Sequence, residues 1–173
     1  MKTFLLLAPF VLLVATPAPR AMAQEEQIGL PVGSAAPTAV QVQNLDGQPV
    51  SLSPRIGQKP VLIEFWATWC PLCHALLPRM EAAHRKYGDK VDFVVVAVGV
   101  NETPQSIKRH LVQSPMPFEP LWDGNGAAVR AFEAPSTSYI VGVDATGKVA
   151  YTGLGDAQDI DHAVQKTLGY KAE

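Results

Sequence analysis

The stretch from Val61 to Val98 limits the possible folds more than any other part of the chain. Val61-Leu62-Ile63-Glu64-Phe65-Trp66-Ala67 is a nearly unbroken apolar run of strand length, the pattern of a strand buried on both faces of a sheet. Cys73, Leu76, Leu77, Met80, Ala83 and Tyr87 then recur at helical spacing, and Gly88 offers a C-terminal cap. Val91 to Val98 is a second apolar run. Strand, helix and strand in this order form a crossover unit, which is right-handed with its strands parallel. The expected class is therefore α/β.

The remaining chain supplies further elements. Ala39 to Gln43 and Pro49 to Ser53 flank Asn44-Leu45-Asp46-Gly47-Gln48 and read as a hairpin around an Asp-Gly turn. Thr103 to Gln113 reads as a helix with Thr103 as cap and Pro104 at its first position. A proline-rich segment, Ser114 to Pro120, follows, and Asp123-Gly124-Asn125-Gly126 turns into a short helix ending near Phe132. Ser138 to Val143 and Lys148 to Thr152 form a second hairpin across Asp144 to Gly147, before a last helix from Ala157 to Leu168. No internal repeat is present.

With 173 residues, 47% of them hydrophobic, the chain has length for one sizeable core and not for two ordinary domains. Lys2, the apolar run Phe4 to Val14 interrupted by Pro9, and Ala21-Met22-Ala23 have the layout of a cleavable signal peptide over residues 1–23. That run falls short of the roughly 20 residues needed to span a bilayer. Neither cysteine lies near the cleavage site, so a lipid-modified terminus is not expected. Cleavage would remove Lys2 and Arg20 and no acid, making the chain more acidic than its formal −2. Residues 24–37, punctuated by Gly29, Pro31, Gly33 and Pro37, read as an extended lead-in, and 38–173 as the folded domain. A charged fraction of 17% with that balance excludes the basic footprint of a nucleic-acid or anionic-membrane binder.

The chain's two cysteines are Cys70 and Cys73. A bridge between them closes too short a loop to act as an entropic staple, whereas a reversible redox pair is well served by the spacing. Cys70 falls where the buried strand gives way to the helix, and there unpaired backbone N–H groups and the helix dipole favour a thiolate. Such motifs lower a cysteine pKa from about 8.5 to roughly 3.5 to 7.5. Cys73, a turn further in, is expected to be the less exposed, resolving thiol.

Phe65-Trp66-Ala67-Thr68-Trp69-Cys70-Pro71-Leu72-Cys73 resembles the active-site strand and helix start of thioredoxins, in particular the exported TlpA/ResA-like branch. Pro78 matches the helix proline of the family, Ala134-Pro135-Ser136-Thr137 resembles its cis-proline segment, and Asn44 to Val50 followed by Leu52 resembles the N-terminal hairpin of the exported branch. The resemblance implies a thioredoxin-like fold, a central mixed sheet flanked by helices with an N-terminal β-hairpin extension. It implies an exported, periplasmic thiol–disulfide oxidoreductase acting through Cys70 and Cys73 on protein substrates, more as reductase than oxidant. A membrane thiol donor, a monomeric state and the absence of cofactor, metal and nucleic acid go with it. Trp69, Pro71, Ala134 and Pro135 are the implied substrate-facing residues, with a cis bond before Pro135 that lays it against the Cys70 sulfur. Glu64 occupies the position of the family's buried acid. Burial raises a carboxyl pKa toward the range of a general base, so Glu64 is the expected proton acceptor for Cys73. A structural carboxylate bonded to backbone is the alternative.

Some features depart from the family. Leu76 stands where relatives often have an acid, Pro71-Leu72 replaces Gly-Pro, and the run from Pro135 to Gly147 is longer than usual. Other chemistries share the motif. Cys70-Pro71-Leu72-Cys73-His74 fits the C-x-x-C-H pattern of c-type haem attachment, though the tryptophan pair before it does not belong to a haem site. A soft-metal carrier would use both cysteines with His74 or Met80. His84, His110 and His162 show no ligand spacing and read as helix-face residues. Thr68 is only superficially like a peroxide-reducing motif, whose upstream proline is missing.

Overall fold

The computed structural model describes residues 28–170, so the signal-peptide reading of residues 1–23 lies outside the described residues. The apolar run becomes β3 (Val61–Trp66), every residue of it buried. It pairs in parallel with β4 (Asp92–Val98) from Val61↔Asp92 to Trp66↔Ala97, and α1 (Pro71–Tyr87) makes the crossover. α1 runs unbroken through Pro78 and turns Cys73, Leu76, Met80, Ala83 and Tyr87 into the core.

On one flank β4 pairs in parallel with β5 (Leu121–Asp123), which the hairpin of β1 (Gln41–Gln43) and β2 (Pro49–Ser51) extends. On the other flank β6 (Tyr139–Val143) lies antiparallel to β3, and β7 (Val149–Leu154) antiparallel to β6. The result is a mixed seven-stranded sheet in the order β2-β1-β5-β4-β3-β6-β7. α2 (Pro104–Gln113) and α3 (Ala127–Ala131) flank β5 in the chain, and α4 (Ile160–Thr167) closes it. The expected α/β architecture with an N-terminal hairpin is the one observed. The strand β5 was not foreseen: three residues after a run of prolines are too few to display a period, and parallel pairing with Val96 to Val98 creates it.

Side-chain contacts sort the two faces. His74 of α1 stacks on His110 of α2, and His110 meets Trp66 edge-on, so α1 and α2 share the face to which Trp66 points. Lys86 joins α1 to α4 through Asp161 at 2.7 Å. Alternation along β3 puts Glu64 on that same face and Phe65 on the other, where it packs with Phe132 and Tyr139. The Tyr139 hydroxyl accepts the Leu30 N–H at 3.3 Å. Residues of the expected lead-in take part in the fold: Leu30 and Ala36 are buried, and Gly33 and Ala36 donate to the Val149 and Gly147 carbonyls.

Candidate active site

β3 ends at Trp66, and Ala67-Thr68-Trp69 carries the chain to the start of α1 with Cys70 as its cap. Cys70 has extended backbone angles, φ −87° and ψ 104°, and its Sγ accepts the Cys73 N–H at 3.1 Å. This is the geometry that holds an anionic sulfur on the free donors of a helix start. The two cysteines are disulfide-bonded, with Cα atoms 5.3 Å apart. The expected contrast in exposure between them is absent, because Cys70 is 2% and Cys73 1% exposed. As a cap, Cys70 folds its sulfur back over the first turn instead of outward. The residues around them are the ones that face solvent: Trp69 is 47% and Leu72 44% exposed.

A second carboxylate, not anticipated from sequence, holds this loop. Glu102 lies buried just after β4, and its Oε1 accepts the Thr68 N–H at 2.7 Å and also the Thr68 hydroxyl. Its Oε2 accepts the Ser106 hydroxyl at 2.8 Å, while Ser106 and Thr103 form a capping box at the start of α2. The Trp69 indole N–H donates to the Val100 carbonyl at 2.9 Å. The segment after β4 therefore grips the two residues before Cys70. Thr103 and Pro104 signalled the helix start, but nothing in the sequence paired Glu102 with Thr68.

Glu64 is 2% exposed, its Oε1 has no hydrogen-bond partner, and burial pushes its pKa up to about 8. It lies on the α1-facing side of the sheet, the side required of a group serving Cys73. No backbone bond to Oε1 supports the purely structural alternative.

Other expectations change. No cis peptide bond is present among the described residues, so the bond before Pro135 is trans, its default form. Pro135 is exposed, and the longer connection seen in the sequence separates it from β6. It is Ser138, buried and left-handed at φ 59°, that abuts β3, donating its N–H to the Phe65 carbonyl at 2.7 Å. Glu133, also left-handed at φ 50°, helps turn the chain there without a cis bond. His110, read as a helix-face residue, is instead brought against His74 beside the cysteines. Met80 is fully buried in the core, about two turns along α1 from Cys73, and His84 packs edge-on against Phe93 and Phe118. Among the described residues no group of three or more His, Cys, Asp or Glu is placed to hold a metal ion.

The Redoxin family model matches residues 31–168, a span that includes the whole sheet and the site. The chain belongs to the Redoxin family. Its relatives place it in the thioredoxin-like, ResA/TlpA-like branch: it is 30% identical over 120 residues to the thiol-disulfide oxidoreductase ResA of Bacillus thuringiensis, covering 68% of this chain and 66% of that one. It is 36% identical over 85 residues to the thioredoxin-like protein YneN of Bacillus subtilis, covering 49% of this chain and 48% of YneN. The matched stretch thus spans from about half to two thirds of these relatives' own length. A putative thiol:disulfide interchange protein DsbE from Chlorobium tepidum superposes with a TM-score of 0.65 at 27% identity, over 80% of this chain and 96% of that one. A secreted Mycobacterium tuberculosis disulfide oxidoreductase shares the fold, with a TM-score of 0.64 at 21% identity over 76% and 96% of the two chains.

Proposed function

We propose that this Redoxin-family chain is an exported thiol–disulfide oxidoreductase that exchanges the Cys70–Cys73 dithiol with disulfides of protein substrates, working as a reductase. The observation that carries the reading is a disulfide at the cap of a helix, over a sheet face that holds a buried, unpartnered carboxyl. Kinship with proteins named thiol-disulfide oxidoreductase supports it.

In the reduced protein Cys70 is the thiolate. It attacks one sulfur of a substrate disulfide, forming a Cys70–substrate bond as the substrate S–S bond breaks and the first substrate thiolate leaves. The ionised fraction of Glu64, small at neutral pH because burial pushes its pKa up to about 8, takes the Cys73 proton as Cys73 attacks the Cys70 sulfur, and the proton passes on to the departing substrate thiolate. The mixed disulfide breaks, the second substrate thiolate departs and the Cys70–Cys73 bond forms, leaving the oxidised state seen here. Trp69, Leu72 and Pro71 are the solvent-facing surface for the substrate segment around the cysteines, with Ala134 and Pro135 as a further contact reached without a cis bond. A membrane-borne thiol donor returns the pair to the dithiol, and the chain acts as a monomer in the periplasm after removal of residues 1–23. No helix among the described residues is long and apolar enough to cross a membrane.

Disulfide exchange is preferred to a soft-metal site that draws on Met80, which lies in the core, and to haem attachment because the cysteines begin a helix directly after a buried strand. Two measurements test the reading. The reduced chain is expected to reduce insulin disulfides, with Cys70→Ser inactive; no reduction by the parent chain would overturn the activity. Its equilibrium potential with glutathione is expected nearer the thioredoxin value of about −270 mV than the DsbA value of about −120 mV. A value near the latter would reverse the direction of electron flow.

A further inference from the structure

His74 follows Cys73 directly, and its backbone N–H donates to the Cys70 carbonyl at 3.2 Å, so it belongs to the turn that the cysteines begin. His110, on α2, stacks on its ring with centroids 5.4 Å apart and planes inclined by only 13°. The ring of Trp66, itself buried, is inclined by 60° to that of His110, with centroids 5.6 Å apart. His110 is thus held between the strand before the cysteines and the helix after them.

Two imidazoles stacked face to face repel each other if both are protonated, so a proton on one ring disfavours a proton on the other. In the oxidised protein even that proton is disfavoured on His110: burial lowers its pKa first, His74 lowers it further, and Glu102 partly offsets them. Reduction changes the charge at the start of the turn that carries His74. It places a thiolate on Cys70, at the opposite end of the turn from His74.

We propose that the His74–His110 pair is the proton-holding partner of the Cys70 thiolate, with His110 as the residue that positions His74. The inference rests on the oxidoreductase reading of the cysteines. A donor dithiol supplies two electrons and two protons and becomes a disulfide as the Cys70–Cys73 bond breaks. One proton stays on Cys73 as the thiol, and the other goes to the imidazole pair, balancing the Cys70 thiolate. When Cys70 attacks a substrate disulfide, the leaving substrate thiolate takes the imidazolium proton, and the pair returns to its neutral stack. The charged group that bears on His110 besides His74 is Glu102, in the loop between β4 and α2. Of the basic neighbours of His110 on its own helix, Arg109 is exposed and Lys108 is engaged with Asp46 at 2.6 Å.

NMR titration of the His74 and His110 rings, in the oxidised chain and in the chain reduced by a phosphine, tests this. The expected result is a rise of about one pKa unit in the pair on reduction, tenfold in proton affinity. The rise is expected to vanish in reduced Cys70→Ser and to shrink in His110→Phe, which keeps the ring packing on Trp66. Titrations that match in the two redox states, or a rise that persists in Cys70→Ser, overturn the proposal. Should His110→Phe not fold, His74→Gln serves: its Cys70 alkylation at about pH 6 is expected to fall several-fold relative to the parent, and an unchanged pH profile overturns the assignment. Because the phosphine drives reduction, the titration reads the coupling even if insulin reduction fails, so the two readings fail separately.

Discussion

A carboxyl with an unpartnered oxygen, set in a strand whose every residue is buried, is costly when ionised, and Glu64 bears that cost over a defined pH range. Its folded pKa of about 8 lies above the ordinary carboxyl value of 4.5, so between these values the folded chain holds a proton that the unfolded chain has lost. Stability present below the lower value is therefore lost as pH rises through the window, by at most about 1.4 kcal/mol per unit. Glu64→Gln is expected to flatten this dependence, so that urea denaturation of the oxidised forms shows the variant gaining on the parent from about pH 5 to about pH 8. The same variant is expected to slow release from the mixed disulfide on the order of 10²-fold, with initial attack little changed. Unchanged release in stopped-flow traces contradicts its role as base. Glu102 does different work, since it satisfies the Thr68 N–H and Ser106 hydroxyl. Glu102→Ala leaves the Thr68 N–H without this acceptor, while the Ser106 hydroxyl keeps the Thr103 carbonyl at 2.8 Å, and is expected to cost about 1–3 kcal/mol in denaturation, with Glu102→Gln recovering most of the loss. Glu64 was legible because an acid in an apolar run is conspicuous. Glu102 was not, because its meaning depends on a partner 34 positions away.

At the scale of elements, what the sequence disclosed follows from length and period. β3, α1 and β4 each repeat their pattern often enough to be read, and α2 declares its start through Thr103 and Pro104. β5 and the exact reach of the hairpin β1–β2 depend on neighbouring strands, so local residues alone do not set them. Around Pro135 the chain turns through left-handed Glu133 and Ser138 with a trans bond between Ala134 and Pro135, a detail that no local pattern displays. Packing of α4 on β6 rests on Gly142, where a methyl group would run into the Thr167 side chain and crowd Tyr151. Gly142→Ala is expected to destabilise the fold by about 1–3 kcal/mol through overpacking, read as a lower urea midpoint. Exchange rates of the folded fraction should change little, because Gly142 lies outside the cysteine loop.

Across the whole molecule, parallel pairing of β3 with β4 brings their C-terminal ends side by side, and the residues of the site hang from those ends. The loop after β3 carries Thr68, Trp69 and Cys70; the loop after β4 carries Val100 and Glu102, and α2 then brings His110 back to His74. A motif of local spacing showed the cysteines, while only the fold could join the histidines, 36 positions apart. The account turns on a division of labour between two sulfurs that are equally buried in the oxidised state, so their roles must come from position: Cys70 on the helix cap, Cys73 above the face that holds Glu64. The most direct measurement is mass spectrometry of mixed disulfides formed when reduced Cys73→Ser and Cys70→Ser variants meet a disulfide-containing protein. The account predicts that Cys73→Ser accumulates covalent complexes through Cys70 while Cys70→Ser accumulates none. Equal trapping by the two variants, or trapping by Cys70→Ser alone, would contradict it.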